Sequence, residues 1–328
     1  MRKLVAGFHA IALALVLAGV AALGQEKPAM EKLKIAVGQG LPYDTAFPLA
    51  AVKAGIFKTH GLDVEVLLTN GGGETLQTVI SGSIDIGIAA GLTGVLGAFS
   101  KGAPLRVISA EGTGMDESFV YVNVNSPIKS FAEADGKTVA FSTVGASTYS
   151  LVTGIAERYK VKPKFVATGS IPATYSTVMS GQIDIGWAAV PFGLQEQRDG
   201  KIRVLAWGSE AANIHDQTLR VNIVHARVLD ERKDVVRRFM AAYYEAWDWA
   251  YESKDAARIV AETFKLPEEI VEETRTRYST RTLTQLAEVK GLAQSMKDAM
   301  EFKYLSAPLT PEQEKTLFQL DAVRPARK

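Results

Sequence analysis

Thirteen residues of this chain occur twice, ninety-nine positions apart. The run Thr78-Val79-Ile80-Ser81-Gly82-Ser83-Ile84-Asp85-Ile86-Gly87-Ile88-Ala89-Ala90 returns as Thr177-Val178-Met179-Ser180-Gly181-Gln182-Ile183-Asp184-Ile185-Gly186-Trp187-Ala188-Ala189, identical at ten of the thirteen positions. Each copy reads as a helix end, a glycine able to take the left-handed cap conformation, and a short strand with isoleucines at every second position. The match extends backwards without a gap, since Thr69 aligns with Thr168 and Thr75 with Thr174. A repeat of that kind predicts two lobes of the same α/β construction with something held between them. Asp85 and Asp184 sit at the same place in both copies, which predicts a shared turn or cap role over acid–base chemistry.

The length of 328 residues exceeds one comfortable core, so two lobes are also expected on size. Arg2 and Lys3 precede an apolar stretch from Leu4 to Leu23, and Ala21, Ala22 and Gly24 supply a small-residue exit. That layout predicts a cleaved signal peptide over residues 1–24, and therefore export; an uncleaved membrane anchor is the alternative. The chain has no cysteine, which excludes disulfides, thiolate metal sites, cysteine nucleophiles and a lipidated cysteine anchor. Without Arg2 and Lys3 there remain 35 basic against 36 acidic residues, so no basic excess points to nucleic acid.

Strands are expected at Leu33–Val37, Leu62–Leu68 and the first repeat, then at Leu105–Ser109, with helices between them. The pattern restarts at Phe119, with strands at Phe119–Val124, Lys137–Phe141, Lys164–Ala167, the second repeat and Ile202–Trp207. Leu219–His225 reads as a strand returning to the first lobe, and everything after Leu229 as helix. Lobe one is thus expected over 25–116 and 219–328, lobe two over 117–218, with two crossings near 113–119 and 210–220. Phe239, Tyr243, Tyr244, Trp247 and Tyr251 recur at helical spacing and predict a helix packed on lobe one. The fold class is α/β: two lobes, each a helix-flanked, mostly parallel sheet, with a helical C-terminal region on lobe one.

Open α/β sheets bind small molecules beyond the carboxyl ends of parallel strands, at helix amino termini. Those ends carry Gly40–Tyr43, Asn70–Gly73 and Gly91–Gly94 in lobe one. In lobe two they carry Ser142–Thr148, Gly169-Ser170 and Ala188–Phe192. Their Gly, Ser and Thr content brings backbone N–H groups and hydroxyls to bear, which favours an anion. Gly72 and Gly73 form either an anion nest or a flexible turn. Thr93, Ser142, Ser147 and Thr148 offer hydroxyls to a ligand or serve as ordinary N-caps. Tyr43, Trp187 and Phe192 are placed to clamp an organic body or a cation, or else read as core residues; Trp187 replaces Ile88 of the first repeat, and Trp187→Ala is expected to weaken binding with the fold intact. Glu210 and Asp216 could meet an ammonium group, and Arg220 a sulfonate or carboxylate; each reads equally as a solvated hinge residue. His60, His215 and His225 show no metal-ligand spacing, and no H-E-x-x-H or G-x-S-x-G occurs, so neither metal nor cofactor is expected.

The two G-x-I-D-I-G strands, Lys34-Ile35-Ala36-Val37, Ala54-Gly55-Ile56-Phe57 with Gly61-Leu62-Asp63-Val64, and Ser126–Ser130 with Asp135–Ala140 carry a resemblance. Over roughly residues 33–265 the chain resembles the periplasmic substrate-binding proteins of taurine, alkanesulfonate and nitrate ABC importers. The resemblance implies a type II binding-protein fold that closes on a solute in the periplasm and presents it to a membrane permease. It places the ligand near Tyr43, Gly71–Gly73, Thr93, Ser142–Thr148 and Trp187–Phe192. It also implies an acidic residue near the second crossing that meets an amine, for which Asp216 is the nearest match, although the flanking sequence departs from the taurine pattern.

The leading expectation is therefore a monomeric, non-enzymatic capture protein for a small organic anion, foremost a sulfonate. Alternatives are a carboxylate or nitrate binder, a secreted enzyme on the same scaffold, and a sensor that hands its shape change to a receptor.

Overall fold

Leu33, Ile35 and Val37 point to one core and Ala36 to another, the alternation that makes residues Glu31–Gly38 a strand buried on both faces (β1). The computed structural model describes residues 30–40 and 42–325; the signal peptide expected over 1–24 lies outside the described residues. Around β1 a five-stranded sheet is built from β2 (Leu62–Thr69), β3 (Ile86–Gly91), β4 (Leu105–Thr113) and, last in the chain, β10 (Thr218–His225), in the order β2-β1-β3-β10-β4. β1 pairs in parallel with β2 and β3, whereas β10 runs antiparallel to both of its neighbours.

The second lobe repeats this order. β5 (Ser118–Asn123) pairs antiparallel with β8 (Gly186–Ala189) and β9 (Ile202–Trp207), while β6 (Thr138–Phe141) pairs in parallel with β7 (Lys164–Ala167). A bridge between Val139 and Ile185 joins the two groups, so the strands read β7-β6-β8-β5-β9. Each lobe thus holds one antiparallel strand in the fourth place, and these two strands, β5 and β10, directly follow the crossings.

Helices α1 (Tyr43–Ala54), α2 (Gly72–Ile80) and α3 (Leu92–Ser100) cover the first sheet, and α4 (Ser147–Tyr159) and α5 (Ile171–Met179) the second. The predicted aromatic helix is α6 (Lys233–Glu252), whose Phe239 and Tyr243 pack on Phe47 and Phe57 of the first lobe. The expectation of helix throughout the C-terminal region fails between 279 and 291 and again between 302 and 310. In the first stretch the chain turns at 281–283 and then passes beside β4, with Thr113 donating to the Leu283 carbonyl (2.8 Å) and Gln285 to that of Glu111 (3.0 Å). β4 is an edge strand whose free backbone groups need partners, and the segment Thr282-Leu283-Thr284 has the β-branched character to supply them. Just before it, α7 (Glu268–Glu273) touches both lobes: Ile270 is buried in the second lobe's core and Val271 in the first's.

The repeat is a repeat of contacts as well as of letters. The Asp85 carboxylate accepts from the backbone N–H of Lys34 on β1 (2.8 Å), and Asp184 from that of Thr138 on β6 (2.8 Å). Thr69 and Thr75 share a hydrogen bond (2.7 Å), as do Thr168 and Thr174 (2.6 Å). Each threonine clasp ties the end of a strand to the first turn of the helix after it, which sets the helix amino terminus at the carboxyl edge of its sheet. Thr69→Val and Thr168→Val should each cost about 1 kcal/mol in urea unfolding. The two costs should be similar and should add in the double variant, because the clasps lie in different lobes; a large cost at one twin only would show that the copies are not equivalent supports.

Candidate functional site

Two helix amino termini converge where the carboxyl edges of the sheets face each other. α2 contributes Gly71 and Gly72 and α4 contributes Ala146, Ser147 and Thr148, all lining one crevice between the lobes. The first N–H groups of a helix have no partner within it, so both termini offer donors to a guest. Gln39 and Thr45 from lobe one and Ser118, Ser142 and Trp187 from lobe two complete most of the wall. The crevice encloses about 30 Å³, room for only one or two waters, so the jaws stand nearly shut.

Closure brings backbone against backbone. A Cβ on Gly73 would lie 2.0 Å from the Val144 carbonyl oxygen across the gap, and one on Gly91 would lie 2.2 Å from that of Gly145. The Gly73 N–H donates to the Thr143 hydroxyl (3.2 Å), and the Gly145 N–H to Tyr304 from the C-terminal region (3.0 Å). Gln39 reaches furthest: its side-chain oxygen accepts from the Ile171 N–H at the start of α5 (3.0 Å), and its amide donates to the carbonyls of Asn70 and Gly169. Gln39 therefore fills in α5 the role that a guest would play in α2.

The floor is charged. Arg220, on β10, holds Asp44 of α1 (3.2 Å) and Glu117 beside the first crossing (2.8 Å), and all three are buried. Burial raises the carboxyl of Asp44 above its usual range, opposed by the Arg220 charge and reinforced by Glu117. Behind them Glu111 is fully buried, and burial together with the neighbouring Asp44 pushes it up to about 8. One guanidinium thus faces two carboxylates, and its charge is matched before any ligand arrives.

Of the expected residues, Gly72, Ser142, Ser147, Thr148, Trp187 and Arg220 line the crevice together. Tyr43 does not: it is a core residue whose hydroxyl donates to the Ala250 carbonyl, and burial raises its pKa to about 12. Gly73 meets the opposite lobe instead of the lumen, and Thr93 is buried at the start of α3, outside the lining. Phe192 stacks edge-on against Tyr175 at 5.5 Å, and Asp216 is exposed; neither lines the crevice. Glu210 is occupied by the Tyr159 hydroxyl (2.7 Å) and the Trp207 N–H (2.9 Å). Trp187 is 2% exposed and belongs to the second lobe's core, so Trp187→Ala would remove core packing as well as a lining residue; deleting such a ring costs about 3–5 kcal/mol of stability. Its indole N–H is buried without a partner beside the lumen. Sequence reading missed Gln39, Thr45, Ser118 and the Asp44–Arg220–Glu117 triad. Gln39 follows β1 and Ser142 follows β6, the strands held by the twin aspartates Asp85 and Asp184, so the loop after β1 was the available signal for Gln39. Among the described residues no group of three or more His, Asp or Glu side chains is arranged to hold a metal ion. No helix of the described residues is long and apolar enough to cross a membrane.

Residues 43–257, more than half of the chain, match the sequence model of the NMT1/THI5 like family, and the chain belongs to that family. No curated protein sequence matches it. The alkanesulfonate-binding protein SsuA from Xanthomonas axonopodis pv. citri, bound to MOPS, shares the fold with a TM-score of 0.71 at 19% identity, covering 85% of this chain and 96% of the other. The periplasmic nitrate-binding protein NrtA from Synechocystis aligns with a TM-score of 0.69 at 16% identity, over 89% of this chain and 87% of the other. A desulfurization enzyme, DSZB, also aligns, with a TM-score of 0.58 at 14% identity, over 87% of this chain and 96% of its own. Likeness at these identities carries the two-lobed fold and leaves function to the site.

Gly73→Ala separates closure from folding. Alanine is the better helix former by up to about 1 kcal/mol, so the midpoint of thermal unfolding should hold or rise. The new methyl meets the Val144 carbonyl only when the lobes shut, so small-angle scattering should report a more open particle. A variant as closed as the native chain would show that the contact yields without cost.

Proposed function

We propose that this protein captures a small organic anion, foremost a sulfonate, in the crevice between its lobes and delivers it to the permease of an ABC importer. Residues 25–116 and 219–328 form one jaw and 117–218 the other, and residues 1–24 are a signal peptide removed on export to the periplasm, where the protein works as a monomer. The observation that carries this reading is the convergence of two helix amino termini, from α2 and α4, on one crevice lined by hydroxyls and an unpartnered indole N–H.

The guest's acidic head is seated by the Gly72 region of α2 and by Ser147 and Thr148 of α4. The Thr148 hydroxyl accepts from the Ser142 N–H (3.0 Å) and shares a second hydrogen bond with the Ser142 hydroxyl (2.8 Å), which uses one of the two hydroxyl protons and leaves the other to donate to a guest. The Trp187 N–H adds a further donor. Arg220 forms the floor and supports the seat from below through Asp44 and Glu117, so it acts as a fixed part of the wall more than as a free cation. Guest contacts with both jaws exist only when the jaws are shut, so binding shifts the population toward closure. A hydrolytic role for the repeat carboxylates is disfavoured, because Asp85 and Asp184 hold backbone amides in their own lobes.

Thermal-shift and calorimetric titration with ethanesulfonate, taurine, acetate and nitrate test the proposal. A sulfonate at about a hundred times its Kd should add about 2.7 kcal/mol to stability and raise the unfolding temperature accordingly. No stabilisation by any of the four anions would remove the capture reading.

A further inference from the structure

The first repeat strand differs from its twin at a point where it borders the crevice. Ala89 has φ +57°, a left-handed conformation that costs a non-glycine residue, and it lines the lumen. Its twin Ala188 lies in a regular strand opposite Phe119. The cause is a bulge: β10 pairs Val221 with Ala90 and Ile223 with Gly87, so Asn222 alone faces both Ile88 and Ala89. A bulge frees a backbone N–H from the ladder, and here a side chain catches it. The Asn222 oxygen accepts from the Ala89 N–H (3.0 Å), and the Asn222 amide donates to Ser109 (2.9 Å) and to Glu111 (2.6 Å). Glu111 accepts in turn from the Tyr243 hydroxyl of α6 (2.9 Å). Asn222, Ser109, Glu111 and Tyr243 are each at most 1% exposed.

We propose that Asn222 and Glu111 are positioning residues for the crevice: Glu111 orients the Asn222 amide, Asn222 holds the bulged Ala89 backbone, and the protonation of Glu111 tunes how firmly the wall is set. The proposal rests on the capture reading for its consequence and on these contacts for its substance. Reversing the Asn222 amide would aim its NH₂ group at the Ala89 N–H, donor against donor, and its oxygen at Glu111. That reversal is blocked while Glu111 accepts. The groups that face Glu111 are Asp44 from α1, Arg220 from β10, and Tyr243 and Tyr251 from α6. Burial and Asp44 raise its pKa to about 8, against contributions from Asn222, Tyr243 and Arg220 that lower it. The folded pKa lies above the unfolded one, so the neutral form's stabilisation is complete in acid and is lost as pH rises through about 8. Above that pH a further negative charge stands behind the seat, and an anion binds less tightly.

The test follows the Ala89 amide by nuclear magnetic resonance, with ethanesulfonate as the binding probe. In the native protein the Ala89 cross-peak should move with a midpoint near pH 8, and ethanesulfonate affinity should fall severalfold over the same range. In Glu111→Gln, which keeps a neutral side chain, the cross-peak should stay in place between about pH 6 and 9 and affinity should stop falling. Asn222→Leu should speed Ala89 hydrogen exchange about tenfold, the loss of one buried hydrogen bond. An Ala89 resonance that ignores both pH and Glu111→Gln would overturn the relay even if Asn222→Leu failed to fold. Failure of ethanesulfonate to bind at any pH would count against the capture reading alone, with the Ala89 resonance still deciding the relay.

Discussion

A buried guanidinium between two buried carboxylates is the interaction on which this architecture turns. Stripping water from Arg220 costs several kcal/mol, and only Asp44 and Glu117 at hydrogen-bonding distance make the position tenable. The three residues come from places the chain must bring together for a two-lobed molecule to exist. Asp44 opens the first helix, Glu117 stands beside the first crossing, and Arg220 follows the second. Their meeting fixes the floor from which both jaws rise. Removing one partner would strand the other charges in the interior, so the triad tolerates no simple deletion.

Above that floor, two copies of one design have diverged. Both keep the threonine clasp and the aspartate that holds the neighbouring strand, which are the parts that build a lobe. They differ where they meet the lumen. The start of α5 is taken by Gln39 from the opposite lobe, whereas the start of α2 borders the crevice. Ala89 is bulged where Ala188 is regular, and Trp187 stands in place of Ile88. Duplication supplies the scaffold, and departures from it mark the residues that shape the guest's surroundings.

Most of the fold was legible in the sequence because local periodicity and the repeat are local signals: the strands over Lys164–Ala167 and Ile202–Trp207 fall where they were read. The irregular run at 279–291 was not, since its course is set by covering the edge of β4, a partner about 170 residues away in the chain. In the site, glycines and hydroxyls at strand ends were readable from composition and position. Tyr43 and Phe192 were misplaced because a residue at a strand end faces either lumen or core, and a strand's period does not say which. Arg220 was found but given a solvated or ligand-facing role, since its partners Asp44 and Glu117 come from distant segments whose meeting no spacing announces.

The central claim is that the lobes are jaws that shut on a solute. The chain has no cysteine, so Glu65→Cys on β2 and Gln182→Cys in the second repeat, both exposed, place exactly one label on each lobe. Pulsed electron spin resonance then reads the distance between them. The account predicts a distribution that includes open forms and moves to the closed separation when ethanesulfonate is added. One distribution, identical with and without a saturating sulfonate that calorimetry shows to be bound, would contradict it.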